Sequence, residues 1–341
     1  MNRSIFRSLI SVGKYLITLG IAGFLLWYVY KDLDFREMLS RFGQVNYYWI
    51  ILSFIFALLS HYLRAYRWNL LLEPVGYQLK TSRTFLAVMT GYFANLMVPR
   101  MGEVTKCGVL KKTDGVAMTT SIGSVVTERV VDLLCLFLVA FVAFMLEFDK
   151  LNGFVMSYFE GSLDGYDKTI ARLIVLVSIL IFLAVAIFIF LRIFKQRIKR
   201  NPLFIKIRHL LRSLVEGMLS IRKLKNTTGF WISTILIWVL YYLMSYVVFF
   251  SIAETSGLSW LAGLIVLLMG GVAMATPVQG GIGPYHLLVS GALLLYGIGD
   301  ADGKFFAFLL HTSQFLLLLV TGAIGFVLSL FLKKRDAYVG S

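Results

Sequence analysis

The chain has 341 residues, 59% of them hydrophobic, and a formal net charge of +15. Its mean hydropathy is +0.81. A soluble domain is about half apolar, and several runs here reach the roughly 20 apolar residues that cross a bilayer core. An ordinary soluble domain is therefore excluded, and a polytopic membrane protein built as one membrane domain, 1–341, is indicated. The basic residues crowd into short loops between apolar runs, so they read as topology signals and not as a nucleic-acid surface. Nucleic acid is excluded as a partner.

Arg3, Arg7 and Lys14 precede the first apolar run, 15–30. No small-x-small cleavage site follows it, so it reads as an uncleaved first helix. Further apolar runs cover 46–72, 84–98, 117–146, 171–194, 230–252, 259–276, 284–298 and 304–332. Basic residues dominate the N-terminus, the loop 192–225 and the C-terminal Lys333, Lys334 and Arg335, which places all three in the cytoplasm. Acidic residues dominate the loops 147–168 and 299–303, which places both outside.

These sides impose a parity constraint. The run 15–30 goes out, 46–72 returns, and 117–146 leaves again from the cytoplasm. Residues 84–115, broken at Pro99 and Gly102, must then enter and exit on the cytoplasmic side. By the same argument 259–298, broken at Pro277, Gly280, Gly281, Gly283 and Pro284, enters and exits on the outer side. The expected fold is all-α, with six full transmembrane helices and two re-entrant helical hairpins in an inverted-topology repeat. The first repeat is 46–146 with hairpin 84–115, and the second is 230–332 with hairpin 259–298. Such repeats put broken helices and substrate sites near the membrane midplane. The plainer reading, two pairs of short spanning helices, meets the difficulty that arms of about 15 residues are short for a core of about 30 Å.

Between the repeats, 195–228 is a basic cytoplasmic connector. Within it Asn201 and Pro202 suit a helix start. Leu203, Ile207, Leu210, Leu211, Leu214, Met218 and Ile221 fall on one stripe, as in a helix lying flat against anionic headgroups. A plain connector packed on the protein fits the same stripe.

Charges inside so apolar a sequence face a partner, a cavity or a pathway. At the first break, Arg100 adds a guanidinium where the second arm begins with free N–H groups and a positive dipole end. That combination suits an anion, and a guanidinium suits bidentate phosphate binding. Glu103 is placed to pair with Arg100 when no ligand is bound. Glu128 lies roughly 18 Å along the run 117–146, near mid-depth. It shares a face with Asp132, and Arg129 is spaced to pair with Asp132. These residues form either a balanced buried network or a carboxylate pair that binds protons or a headgroup amine.

Arg64 and Arg67 share a face near the cytoplasmic end of the run 46–72. They either snorkel to headgroup phosphates or guide a phosphate at the mouth of the site. At the second break Gly281 and Gly283 allow tight turning, Pro284 is placed to start a helix aimed at the site, and Gln279 and His286 are the nearby polar side chains. The glycines there do not form a G-x-G-x-x-G pattern after a strand, so a nucleotide loop is rejected. Cys107 and Cys135 make neither a disulfide framework nor a metal site. No Walker loop, hydrolase elbow or H-E-x-x-H is present, so no cofactor and no metal is expected, and a transporter is a better reading than an enzyme.

The pattern RAYRW at 64–68, VPRMGEVTK at 98–106, TERVVDLL at 127–134 and GGIGPYH at 280–286 resembles the lysylphosphatidylglycerol synthase transmembrane-region family, over roughly 10–335. The resemblance implies movement of a lipid or lipid-linked substrate between leaflets of a bacterial or archaeal cytoplasmic membrane, with both termini cytoplasmic. In some members the membrane part precedes an aminoacyl-transferase domain or follows a glycosyltransferase domain; the 341 residues contain neither. The expected partner is a phospholipid or a polyprenyl-phosphate-type lipid, and the sequence leaves a homo-oligomer open. The expected binding residues are Arg100, Glu103, Glu128, Arg129, Asp132, Arg64, Arg67, Gln279, Gly281, Gly283 and His286. Two other functions fit the same residues: an integral-membrane lipid-modifying transferase using Glu128 and Asp132, and a regulatory subunit of a lipid-synthesis enzyme.

Overall fold

The computed structural model describes residues 20, 22–31, 35–98, 101–148, 224–276 and 278–339. Among these residues the fold is all-helical, without a strand. The helices are α1 (22–30), α2 (Phe35–Arg41), α3 (Tyr47–Leu72), α4 (Thr81–Met97), α5 (Gly102–Asp114), α6 (Met118–Leu146), α7 (Thr227–Tyr246), α8 (Trp260–Ala275), α9 (Pro284–Leu294) and α10 (Asp300–Leu330). The apolar run 171–194 falls outside the described residues, as does the connector 195–228 apart from 224–228.

Among the described residues four stretches are long and apolar enough to cross a membrane: Tyr47–Val75, Met118–Leu146, Thr227–Ser251 and Asp300–Leu330. Two of them start on asparagine caps. Asn46 Oδ1 accepts from the Tyr48 N–H at 3.2 Å, and Asn226 Oδ1 from the Gly229 N–H at 2.7 Å. Each cap satisfies a donor that the first helical turn leaves without a partner. The faces of α3 show what surrounds the bundle. Ile51, Ile55, Leu59 and Tyr62 point outward and are exposed, while Ser53, Ala57, Ser60, Arg64, Ala65 and Arg67 are buried. Large apolar side chains outside with small and polar ones inside is the reverse of a soluble bundle. It suits hydrocarbon, where small residues let helices approach and polar groups bond across them.

The ends of the bundle are defined by two sets of polar contacts. At one end Arg83 donates to the Asp114 carboxylate at 2.8 Å and to the carbonyls of Thr113 and Lys333 at 2.9 and 2.8 Å. The chain after α10 is held there too, through Arg335 N–H to Thr113 O and Ala337 N–H to Asp114 O. At the other end Arg41 pairs with Asp302 at 2.6 Å and with Glu254 at 3.1 Å. A buried apolar cluster backs each end, around Trp68, Leu72, Leu110 and Phe230 at the first and around Phe249, Leu293, Phe305 and Phe306 at the second.

Helices α4 and α5 form a hairpin whose base lies at the Arg83 end; α8 and α9 form one whose base lies at the Arg41 end. Their arms have 17, 13, 16 and 11 residues, or about 25, 20, 24 and 17 Å at 1.5 Å per residue. The first hairpin closes tightly at Gly91 and Gly102. A Cβ on Gly91 would stand 2.8 Å from the Gly102 carbonyl oxygen, so only glycine permits this approach. The tip of the second runs through Gly280, Gly281 and Gly283 at φ of 59°, 69° and 93°, where other residues are strained. The two tips touch: Gln279 Nε2 donates to the carbonyls of Leu96 and Met97 at 2.5 and 3.2 Å.

Candidate functional site

Five helices bring their polar residues to one place beneath the first tip. From α3, Arg64 and Arg67 project on one face three residues apart; from α6, Glu128 and Asp132 meet them four apart. Arg64 Nη2 bonds Asp132 Oδ2 at 2.5 Å, and Arg67 Nη2 bonds Asp132 Oδ1 at 2.7 Å. Glu128 is fully buried and surrounded by cations, with Arg64 Nε at 3.3 Å, Arg67 Nη2 at 3.6 Å, Arg129 Nη2 at 3.3 Å and Lys106 Nζ at 2.8 Å. Two further donors reach neighbouring helices, while Arg64 Nε and Arg67 Nε are buried without a hydrogen-bond partner. Arg64 Nη1 donates to the Tyr92 hydroxyl of α4 at 3.2 Å, and Arg67 Nη1 to Thr234 Oγ1 of α7 at 3.4 Å. Lys106 Nζ, from α5, also sits over the Trp68 ring at 4.4 Å, a favourable cation–π placement.

Charge decides what this arrangement can do. Arg64, Arg67, Lys106 and Arg129 are four cations against the two carboxylates Glu128 and Asp132, which leaves an excess of two positive charges. Glu103 lines a small cavity of about 20 Å³ with Lys106 and Arg129, and counting it the excess is one. Glu128 lies ten residues into α6, about 15 Å from its start, or half of a hydrocarbon core of about 30 Å. Uncompensated charge at that depth is costly, so the cluster favours an anion. Arg129 is its accessible member, with 44% of its side chain exposed, while the Arg67 and Glu128 side chains are fully buried.

The sequence-derived candidates fall into two groups. Arg64, Arg67, Glu128, Arg129 and Asp132 are together, with Glu103 at their edge. Neither Arg64 nor Arg67 snorkels, because each ends in a carboxylate of α6 inside the bundle. Arg129 stands nearer Glu128, at 3.3 Å, than Asp132, at 3.8 Å. Arg100 lies outside the described residues. The N-terminus of α5 is partly satisfied already, since the Gly102 N–H donates to Asn95 Oδ1 at 2.6 Å.

The second group is at the other tip. His286 Nδ1 accepts from the Gly283 N–H at 3.4 Å. Its ring lies 4.8 Å from that of His311 and 5.6 Å from that of Tyr30. His311 Nε2 bonds the Gly280 carbonyl at 2.8 Å. Gln279 links this tip to the first, and Gly281 packs against Met274. The sequence reading missed Lys106, Tyr92 and His311 as members of these groups. Lys106 had a signal: it is a lysine in a short, half-length helix, three residues after Glu103. His311, in mid-α10, had none.

The family described as lysylphosphatidylglycerol synthase TM region matches residues 15–322, nearly the whole chain. A curated relative, the UPF0104 membrane protein MJ1595 of Methanocaldococcus jannaschii, is 26% identical over 126 residues. That stretch covers 36% of this chain and 38% of the relative, so the chain spans well under half of that protein's length. No solved structure matches. The helical bundle with its four long apolar helices and the match over 15–322 agree: the chain is a multi-pass integral membrane protein and belongs to the lysylphosphatidylglycerol synthase TM region family.

Proposed function

We propose that the protein moves a phosphate-bearing lipid, or a lipid-linked substrate with a phosphate, between membrane leaflets. The observation that carries this reading is the positive excess of the buried network. An anion resting against Arg129 and Lys106, with Arg100 adjoining in sequence, offsets that excess. The acyl chains stay in hydrocarbon while the phosphate exchanges its water for fixed cations. Both Glu128 and Asp132 have a cation on each oxygen. That suits counter-ions holding the arginines in place and leaves neither of these two carboxylates free to act as a general base, so a transferase built on Glu128 and Asp132 gains nothing from the geometry.

The same reading includes six spanning helices and two re-entrant hairpins in inverted repeats, 46–146 and 230–332, within one membrane domain. Three features support it. The arms, at about 17–25 Å, are shorter than a hydrocarbon core of about 30 Å, the hairpin bases lie at opposite ends, and the packing survives an exchange of halves: α3 lies on α7, α4 on α10, and α8 on α6. Broken helices meeting at mid-depth are where transporters of this plan bind substrate. The cell setting follows the family resemblance, a bacterial or archaeal cytoplasmic membrane with both termini inside. Single cysteines at 112 and 209 then label from the cytoplasm and those at 160 and 301 from outside; outside labelling at 112 makes the first hairpin a full crossing.

The functional test is the lipid that co-purifies. Mass spectrometry of the wild type should find a phosphate-bearing lipid with an unaltered headgroup after incubation, and its amount should fall in Arg129→Ala. A changed headgroup would point to the transferase, and equal lipid in both proteins would remove the phosphate assignment.

A further inference from the structure

The second tip holds two imidazoles whose hydrogen-bond partners fix different tautomers. His311 Nε2 lies 2.8 Å from the Gly280 carbonyl. A carbonyl only accepts, so Nε2 carries the hydrogen and Nδ1 of the neutral ring is a bare lone pair. His286 is the reverse. Its Nδ1 accepts from the Gly283 N–H at 3.4 Å, so Nδ1 is bare and Nε2 carries the hydrogen. That Nε2 is buried with no partner. Helix α1, which lies outside both proposed repeats, covers this tip. A Cβ on Gly283 would meet Leu25 at 2.6 Å, and the Tyr30 ring stands 5.6 Å from that of His286.

The two rings therefore differ in what a proton costs. Protonating His286 sets a second N–H against the Gly283 N–H and breaks the bond that caps α9. Protonating His311 at Nδ1 breaks nothing: Nε2–H keeps Gly280, and Nδ1 has no hydrogen-bond partner among the described residues. His311 is also the more open ring, with 9% exposed against 2% for His286. The Tyr285 ring is 4.8 Å from it, within the roughly 6 Å at which an aromatic face attracts a cation. The other titratable groups on the surrounding elements are turned elsewhere. Tyr30 of α1 donates to the Lys304 carbonyl. Toward the base of the hairpin Arg41 pairs with Asp302 and Lys304 with Asp300. Tyr92 of α4 meets Arg64 and the His61 ring of α3, and α8 has no titratable side chain.

An anion moving past the tips leaves the cations of the first for a second tip that, among the described residues, has no fixed cation. Uncompensated charge at that depth is costly, and a protonated imidazole supplies the missing positive charge. The two tips are already joined beside it, because Gln279, the neighbour of Gly280, donates to the Leu96 carbonyl at 2.5 Å.

We infer that His311 is a proton-binding site that couples lipid movement to a proton gradient. Nδ1 takes one proton as an anionic headgroup passes from the first tip to the second, and gives it up when the headgroup leaves. The proton adds to the Nδ1 lone pair and departs from the same atom, so no other bond changes. Proton and singly charged phosphodiester cross as a neutral pair. The inference rests on the proposed movement of a phosphate-bearing lipid and names its driving force.

The test uses the full chain in phosphatidylcholine vesicles carrying a fluorescent phosphatidylglycerol, under a pH gradient that is acid outside, with protein-free vesicles as reference. Neutral one-to-one coupling raises the inner-to-outer ratio of the labelled lipid about tenfold for each unit of pH. His311→Gln keeps an N–H for Gly280 but takes no proton, so it should show the ratio of protein-free vesicles. His286→Phe leaves Nδ1 of His311 in place and should reach the wild-type ratio, whatever its rate. Labelled lipid that moves in the wild type but ignores the gradient overturns this inference alone, as does a His311→Gln ratio equal to that of the wild type. Absence of movement beyond that in protein-free vesicles overturns the transport reading and this inference with it. A pH dye trapped inside tests the wild type without any variant. Proton entry should match lipid entry one to one, and lipid entry without proton entry overturns the inference.

Discussion

The α4–α5 hairpin delivers Glu103 and Lys106 to a network of buried charges, whereas the α8–α9 hairpin delivers His286 to a pocket of rings made by Tyr30, Tyr285 and His311. The two hairpins have the same plan, short arms and a tip broken by glycine, and the tips are tied together through Gln279. Their chemistry differs. The first surrounds Glu128 with four cations and retains a positive excess; the second gives each imidazole one backbone partner, Gly283 N–H for His286 and Gly280 C=O for His311, and leaves His286 Nε2 buried without one. Among the described residues the first half keeps an excess of positive charge that a counter-ion offsets, whereas the second half is held by neutral hydrogen bonds. Under the proposed function, anion binding falls to the first half, and the second shapes the path.

The largest effect should come from Glu128→Gln. Removing one partner of a buried ionic network costs about 3–5 kcal/mol, and here several cations lose their shared anion at once. Thermal melting in detergent should show a large fall, partly recovered when Lys106→Met is added. A wild-type melting temperature for Glu128→Gln would mean that Asp132 alone holds the arginines. The next effect, about 1–3 kcal/mol, is expected for Gly91→Ala, because the added Cβ forces α4 off α5. Gly108→Ala on the same hairpin meets nothing within 4 Å and should melt at or slightly above the wild-type temperature, since alanine favours helix over glycine by about 1 kcal/mol.

Two smaller effects test the second half. Gln279→Ala loses the bonds to Leu96 and Met97 and should cost about 1 kcal/mol, the usual net worth of a neutral hydrogen bond. His286→Phe should cost about 1 kcal/mol or less, because it removes one long bond from Gly283 N–H and keeps the ring. If His286→Phe destabilised as much as Glu128→Gln, the contrast between a charged half and a neutral half would fail.

Much of this plan was legible in the sequence for a physical reason. Proline, glycine and charge are so costly inside apolar helices that Asn95 to Asp132 and Ala275 to His286 stood out without any alignment. The arms were read within a few residues: 84–98 against Thr81–Met97, and 259–276 against Trp260–Ala275. Partner choice was not legible. Helical spacing says that Arg64 and Arg67 share a face, but their bonding to Asp132 depends on how α3 and α6 are rotated about their axes. The bond from Gln279 to Leu96 spans 183 residues. His311 reads as an ordinary core histidine until the second tip is folded against it. The packing of α1 on Gly283 is likewise a tertiary fact, invisible in a run of apolar residues.

The central claim is that the buried positive excess holds a lipid phosphate on its way across. Its most direct measurement is the transbilayer movement of a fluorescent phosphatidylglycerol in proteoliposomes, read by quenching from outside, for wild type and Arg129→Ala. The account predicts movement faster than in protein-free vesicles and a loss of about ten- to hundred-fold in the variant, the worth of one hydrogen bond to a charged group. Movement in Arg129→Ala equal to wild type, with both proteins folded, would contradict it, as would a wild-type rate no faster than that of protein-free vesicles.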